Sequence, residues 1–150
     1  TALEIWFAGG ASLDQPGKRG AVNLMTATLE EGAGDMDALA FTRAKESLAA
    51  SFDYDVGDDT LTVSARFLTE NRDASVDLLR ETLINPRFDE DAVQRVKGQV
   101  LSILRSDAKD PNDIAGRAFD EMAFGDHPYG SSLNGTLESV AALTREDLLS

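Results

Sequence analysis

An α+β fold, an antiparallel sheet with helices packed on one face, is predicted by three observations. Leu3, Ile5 and Phe7 alternate with Glu4 and Trp6 at the start of the chain, the period of two that belongs to a strand. Two further segments of alternating character, 51–56 and 60–67, flank Gly57-Asp58-Asp59 and read as a hairpin. Much of the remaining chain carries apolar residues three and four apart, the spacing of helices that bury one stripe.

Taken in order, residues 2–8 form the first strand, with an extension through Gly9-Gly10 to Leu13 left open. Asp14-Gln15-Pro16-Gly17 is a turn signal, and Ala21, Leu24, Met25, Thr28 and Leu29 then share a stripe on a helix spanning Arg19 to Glu31. Gly32-Ala33-Gly34 stops that helix, and Asp35 or Asp37 caps another bearing Leu39, Ala40, Phe41, Ala44 and Leu48. In the hairpin, Leu61, Val63, Ala65 and Phe67 point one way while Thr62, Ser64 and Arg66 point the other, so one face is buried and one wet.

Asn71 or Asp73 caps a helix with Val76, Leu79, Leu83 and Ile84, which Asn85-Pro86 ends because proline disfavours a helical residue before it. Asp89 opens a longer helix through Val93, Val96, Val100, Ile103 and Leu104, broken at Asp110-Pro111-Asn112. Asn112 or Asp113 caps the next, carrying Ile114, Ala118, Phe119 and Met122, before a loop at 125–130. Thr144-Arg145-Glu146-Asp147 has the form of a capping box for a last helix. No repeat, linker or low-complexity stretch divides residues 1–150, so they read as a single unit. Its strands are few for so many helices, and more strands are expected beyond Ser150.

Composition narrows the chemistry. With 14 Lys+Arg against 27 Asp+Glu the formal charge is -13, a field that opposes unaided binding to a phosphate backbone, so nucleic acid is not an expected partner. The absence of Cys excludes a disulfide scaffold, a thiolate zinc site and cysteine catalysis. A catalytic zinc usually takes two or three imidazoles and a Ser or Cys nucleophile usually needs a His base, so a single His, His127, leaves little to build with, although enzymes working by carboxylates alone stay open. No stretch approaches the roughly 18 apolar residues of a membrane span, and Thr1-Ala2-Leu3-Glu4 lacks a signal peptide's basic start. The missing initiator Met leads us to expect a processed protein or a piece of a longer one.

Other conspicuous residues have ordinary readings. Asp53, Asp55, Asp58 and Asp59 fail as an EF-hand, because the sixth and twelfth positions counted from Asp53 are Asp58 and Ser64 rather than Gly and Glu. Gly9-Gly10 and Gly32-Ala33-Gly34 lack the spacing of a phosphate loop. Asp107, Asp110 and Asp113 read as a solvated helix end, and His127 as part of a structural loop that Pro128 stiffens.

Several segments together resemble the N-terminal peptidase-type domain of the pitrilysin/insulinase family of zinc peptidases. They are the opening strand, Pro16-Gly17-Lys18-Arg19-Gly20, the hairpin, Asn85-Pro86-Arg87-Phe88, Asp110-Pro111, His127-Pro128-Tyr129-Gly130, Gly135-Thr136-Leu137-Glu138-Ser139-Val140 and Leu143-Thr144. Active members carry His-x-x-Glu-His on the first helix, two imidazoles one turn apart that hold zinc and a Glu that activates its water. Laid after Gly20-Ala21-Val22, that pattern puts Asn23 and Ala27 at the two histidines and Thr26 at the Glu. The segment matching a further ligand, Val100-Leu101-Ser102-Ile103-Leu104-Arg105, has no carboxylate, and Glu30 and Glu31 lack imidazole partners.

The resemblance therefore implies a degenerate, non-catalytic member that binds no zinc itself, although its active relatives do. It implies a catalytic zinc-peptidase partner, as a separate subunit or as a domain of the same polypeptide, closing with it around a peptide substrate. A C-terminal domain of similar fold is implied as well. Phe52, Asp53 and Tyr54 lie in the strand matching the family's edge strand, which in active members pairs with extended substrate; core packing of the two aromatics is the competing reading. Two further readings stand beside this one: a full-length zinc metalloendopeptidase whose metal site lies outside this segment, and a stand-alone interaction module. The periplasm suits a processed start and the lack of Cys, with the cytoplasm as the alternative.

Overall fold

The hairpin dictates the sheet. In the computed structural model, which describes residues 1–149, β4 (Ser51–Val56) pairs antiparallel with β5 (Thr60–Arg66), and β5 pairs on its other side with β1 (Ala2–Ala8). The order β1-β5-β4 leaves β4 and β1 as the two edges. Leu3, Ile5, Phe52, Tyr54, Val63 and Ala65 turn to the packed face, whereas Glu4, Trp6, Asp53 and Asp55 turn outward, as alternation demands. The chain is thus α+β with its helices gathered on one side of the antiparallel sheet.

The helices are α1 (Ala21–Thr28), α2 (Ala38–Ser47), α3 (Arg72–Ile84), α4 (Glu90–Asp107), α5 (Pro111–Phe124), α6 (Leu137–Ala142) and α7 (Arg145–Leu148). Two apolar clusters hold them. One joins Leu24 and Leu29 at α1 to Val93, Val96, Val100 and Leu104 of α4 and to Val140, Leu143 and Leu148 near the end of the chain. The other sets Phe41 of α2 and Leu78 and Leu79 of α3 against Phe52, Val63, Ala65 and Phe67 of the sheet. Half-buried Tyr54 and Leu83 touch both clusters and weld them together.

The structure departs from the sequence reading at several places. The first strand stops at Ala8 rather than running to Leu13: Gly9 takes a left-handed φ of 106°, and a 3₁₀ turn over Ala11–Leu13 lets Ala11 and Ser12 donate to the carbonyls of Gly57 and Asp58. The helix expected to reach Glu31 ends at Thr28. Gly32-Ala33-Gly34 does more than stop it, because β2 (Gly32–Ala33) and β3 (Met36–Asp37) form a small ribbon that buries Ala33.

Asp37 caps α2 through Ala40, but Leu39 and Ala40 stay exposed and Phe41 carries that helix's burial. In α3, Val76 and Ile84 are exposed while Ser75, Leu78, Leu79 and Thr82 face inward, and in α4 Ile103 is exposed. Asp110, not Asn112 or Asp113, caps α5, its Oδ1 accepting from the amides of both of those residues. α6 went unread, although Thr136 and Ser139 form a capping box there.

Candidate functional site

The resemblance directs attention first to α1. Leu24, Thr26 and Thr28 are buried on this helix, Asn23 is half-buried, and Ala27 is exposed with nothing beyond its methyl group to offer. The Thr26 hydroxyl donates to the Val22 carbonyl at 2.8 Å, a back-bond to the preceding turn that leaves it no role as a base. Opposite, α4 presents Val100 and Leu104 into the apolar cluster shared with Leu24 and Leu29. These residues do not fit zinc. Asn23 is a weak neutral donor, Ala27 is none, and the facing helix supplies hydrocarbon where a carboxylate would be needed.

The nearest carboxylates are engaged elsewhere. Glu30 Oε2 lies 2.6 Å from Lys45 Nζ, and Glu31 makes two hydrogen bonds with Arg95, at 2.7 and 2.9 Å, in the forked geometry that suits a guanidinium. Among the described residues no group of three His, Cys, Asp or Glu side chains converges. The four aspartates near the hairpin tip diverge: Asp53 and Asp55 face outward from the sheet, Asp58 meets Arg19, and Asp59 meets Tyr129.

What the structure builds at the start of α1 instead is a polar knot centred on Arg19. Its guanidinium is 13% exposed and donates to the carbonyls of Ala11, Pro128 and Ser131, to the Ser131 hydroxyl and to the Asp58 carboxylate. Asp14 sits 3.7 Å away and accepts from the amides of Gly20 and Val22, so it satisfies otherwise orphaned donors of the first helical turn. Tyr129 donates to Asp59, which also accepts from Ser12; these two bonds hold the Asp59 carboxyl below the usual carboxylate range, while its partner pushes the Tyr129 phenol up.

His127 belongs to this loop. Its Nδ1 accepts from the Tyr129 amide at 3.3 Å and its ring packs edge-on to Tyr129, 4.5 Å between centroids. The expected structural role of His-Pro-Tyr-Gly is the one its geometry supports. Gly135 closes the arrangement: its φ is 81° and a Cβ there would lie 2.3 Å from the Arg19 carbonyl, a separation only glycine avoids. Arg19, Tyr129 and Gly135 stand in segments that carry the family resemblance, but their roles are not legible in the sequence, because contacts that span 70 to 112 residues carry no periodic signal.

The segment Phe52-Asp53-Tyr54 divides. Phe52 is buried against Phe41, 6.5 Å between ring centroids, so its side chain belongs to the core. Tyr54 is half-buried with its hydroxyl 2.7 Å from Thr82, whose own hydroxyl donates to the Leu79 carbonyl; burial pushes the phenol of Tyr54 upward. Only Asp53 projects outward. All three nevertheless lie on β4, an edge strand with one side of its backbone unpaired within the sheet.

Comparisons with known proteins bear on the family and the fold. The family model Insulinase (Peptidase family M16) matches residues 1–137. The chain is 29% identical over 146 residues to a protein of Helicobacter pylori named non-peptidase homolog YmxG, covering 97% of this chain and 34% of that protein. It is 27% identical over 147 residues to an uncharacterized zinc protease of Mycobacterium leprae, covering 98% of this chain and 33% of the relative. The crystal structure of a peptidase M16 inactive domain from Pseudomonas fluorescens superposes with a TM-score of 0.93 at 28% identity, over 99% of this chain and 36% of that one. The chain thus spans about a third of the length of the curated relatives it matches. A match along nearly the whole sequence, on a fold shared with a solved member, shows that the chain belongs to the insulinase family, peptidase family M16.

Proposed function

We propose that this chain is a non-catalytic half of a bacterial insulinase-family peptidase, enclosing peptide together with an active partner rather than cutting it. One observation carries the reading: residues 1–150 hold a single His and so no His-x-x-Glu-His, and laying that pattern after Gly20-Ala21-Val22 falls on Asn23, Thr26 and Ala27 of α1, which packs against apolar side chains of α4. The names of two relatives, a non-peptidase homolog and an inactive domain, support it. In this proposal the free edge of β4 offers its backbone to extended peptide, and Asp53 stands beside the added strand. No helix among the described residues is long and apolar enough to cross a membrane, and a periplasmic site of action is part of the proposal, tested by cell fractionation.

A second reading rests on the zinc-protease names of the mycobacterial relatives and on the length by which they exceed this chain: a metal site lying elsewhere in the full-length protein. Metal analysis after stripping and zinc reloading separates the two. Zinc on neither the 150-residue chain nor the full-length protein, with co-purification of a companion bearing His-x-x-Glu-His, supports the proposal. Stoichiometric zinc on the full-length protein alone selects the second reading. One zinc held by residues 1–150 overturns both.

A further inference from the structure

Among the described residues, α5 is the one helix that buries no side chain. Phe119 and Met122 are 68% and 88% exposed, and only Asp120 is even half-covered. A helix of this length is marginal in water by itself, so its hold on the body comes from its ends. At the N-terminal end Asp110 caps it and Arg117 reaches back to the Asp107 carbonyl, both at the turn that joins it to α4. At the other end it runs into a loop folded tightly on itself. Phe124 meets Tyr129 edge-on with centroids 5.7 Å apart, and His127 Nδ1 accepts from the Tyr129 amide. The backbones of Gly125 and Gly130 approach so closely that a Cβ on Gly130 would collide with the Gly125 carbonyl. Residues 111–131 are thus one continuous strap of helix and loop.

The hydrogen bonds that tie this strap to distant parts of the described chain converge at one place. Tyr129 donates to Asp59 at the hairpin tip, and Arg19 donates to the carbonyls of Pro128 and Ser131 and to the Ser131 hydroxyl. Just beyond, Gly135 is pinned against the Arg19 carbonyl, so the strap ends at 132–134. Between strap and body runs a groove with Asp58, Arg117 and Tyr129 on its walls, and Leu104 of α4 shows to it.

We propose that residues 111–131 of this chain are a latched strap that opens from the body between the turns at 108–110 and 132–134, with Tyr129–Asp59 and the Arg19 contacts as its catch. Opening gives up little apolar burial, because α5 contributes none, whereas α4 cannot leave without dismantling the cluster of Leu24, Val93, Val96 and Val100. The strap is therefore the part of the chain that opens at least cost. Once the catch is undone, α5 loses the contacts that order its far end and melts, and the groove-facing side of Leu104 is bared. The catch thus controls access to one end of the α1–α4 cluster from a point on the hairpin tip. The inference rests on contacts within residues 1–149 and is independent of the functional reading.

Hydrogen exchange read by mass spectrometry on the 150-residue chain tests this. The α5 amides are expected to exchange at least about tenfold faster than those of α4, with a urea dependence less than about half as steep, the marks of an opening smaller than global unfolding. Tyr129→Phe removes the catch hydroxyl from a position outside the helix. It is expected to speed exchange along the whole of α5 by about fivefold while α1 and α4 stay within about twofold. Exchange of α5 at the rate or the urea slope of α4 overturns the proposal. So does an α5 rate that Tyr129→Phe leaves unchanged, or an acceleration spread equally over α4. The urea series needs no variant, so it decides the matter even where Tyr129→Phe fails to fold.

Discussion

α4 and α5 follow one another across a single turn at 108–110, and both carry apolar residues at helical spacing, yet they sit in opposite relation to the body. α4 buries Ala92, Val93, Val96, Val100 and Leu104; α5 buries nothing and turns its stripe to solvent. The difference teaches that periodicity reports which face of a helix seeks cover, not what covers it. α4 finds its cover within the chain because it lies across α1 and α6, whose Leu24 and Val140 complete the cluster. α5 is anchored from behind by the loop that Arg19 holds, and its stripe stays open to solvent.

The largest expected effect breaks this contrast directly. Leu104→Ala opens a cavity in the α1–α4 cluster and costs about 3 kcal/mol, whereas Phe119→Ala in the 150-residue chain stays within about 0.5 kcal/mol, both read by urea unfolding.

Arg19→Ala comes next. It strips several acceptors of a nearly buried charged donor and removes the cation beside Asp14, for a loss of about 2 kcal/mol, and Arg19→Lys does not restore it because an ammonium cannot span the same fork of partners. Hydrogen exchange distinguishes the mechanism: α5 and the 128–131 loop lose protection before α4 does. Asp110→Ala removes the α5 cap and costs about 1 kcal/mol, again with faster exchange confined to α5.

The smallest effect is a titration. The Asp59 carboxyl is held low by the Tyr129 and Ser12 hydroxyls, so its contribution is present above the ordinary carboxylate range and is lost as pH falls through its depressed folded value. NMR titration of the Asp59 carboxyl carbon detects this, and Tyr129→Phe moves the midpoint upward. A midpoint unchanged by that substitution means the tether is not formed in solution.

Legibility followed the range of the interaction. The β4–β5 hairpin, the α4 stripe and the stop at Asn85-Pro86 were readable because each is a local pattern of alternation, period or forbidden backbone geometry. The absence of His-x-x-Glu-His from residues 1–150 was readable for another reason: the pattern needs two imidazoles and the sequence holds a single His. The inward turn of Phe52 was not settled by its strand, since an alternating edge strand has an equal claim to either face until a neighbour such as Phe41 is placed. Asp110 was passed over as a cap because its neighbours Asn112 and Asp113 are equally good capping residues in isolation, and only the start of the backbone turn selects among them.

By itself, then, the sequence determined the α+β class, most element positions and the absence of a His-x-x-Glu-His set, because these depend on residue type and on spacings of a few positions. The tertiary structure alone decided that Arg19 gathers the hairpin tip and the 128–131 loop around the start of α1, that Glu30 and Glu31 are committed to Lys45 and Arg95, and that α5 faces outward. These depend on which surfaces meet, and contacts that close 15 to 112 residues of chain leave no periodic trace from which that could be read.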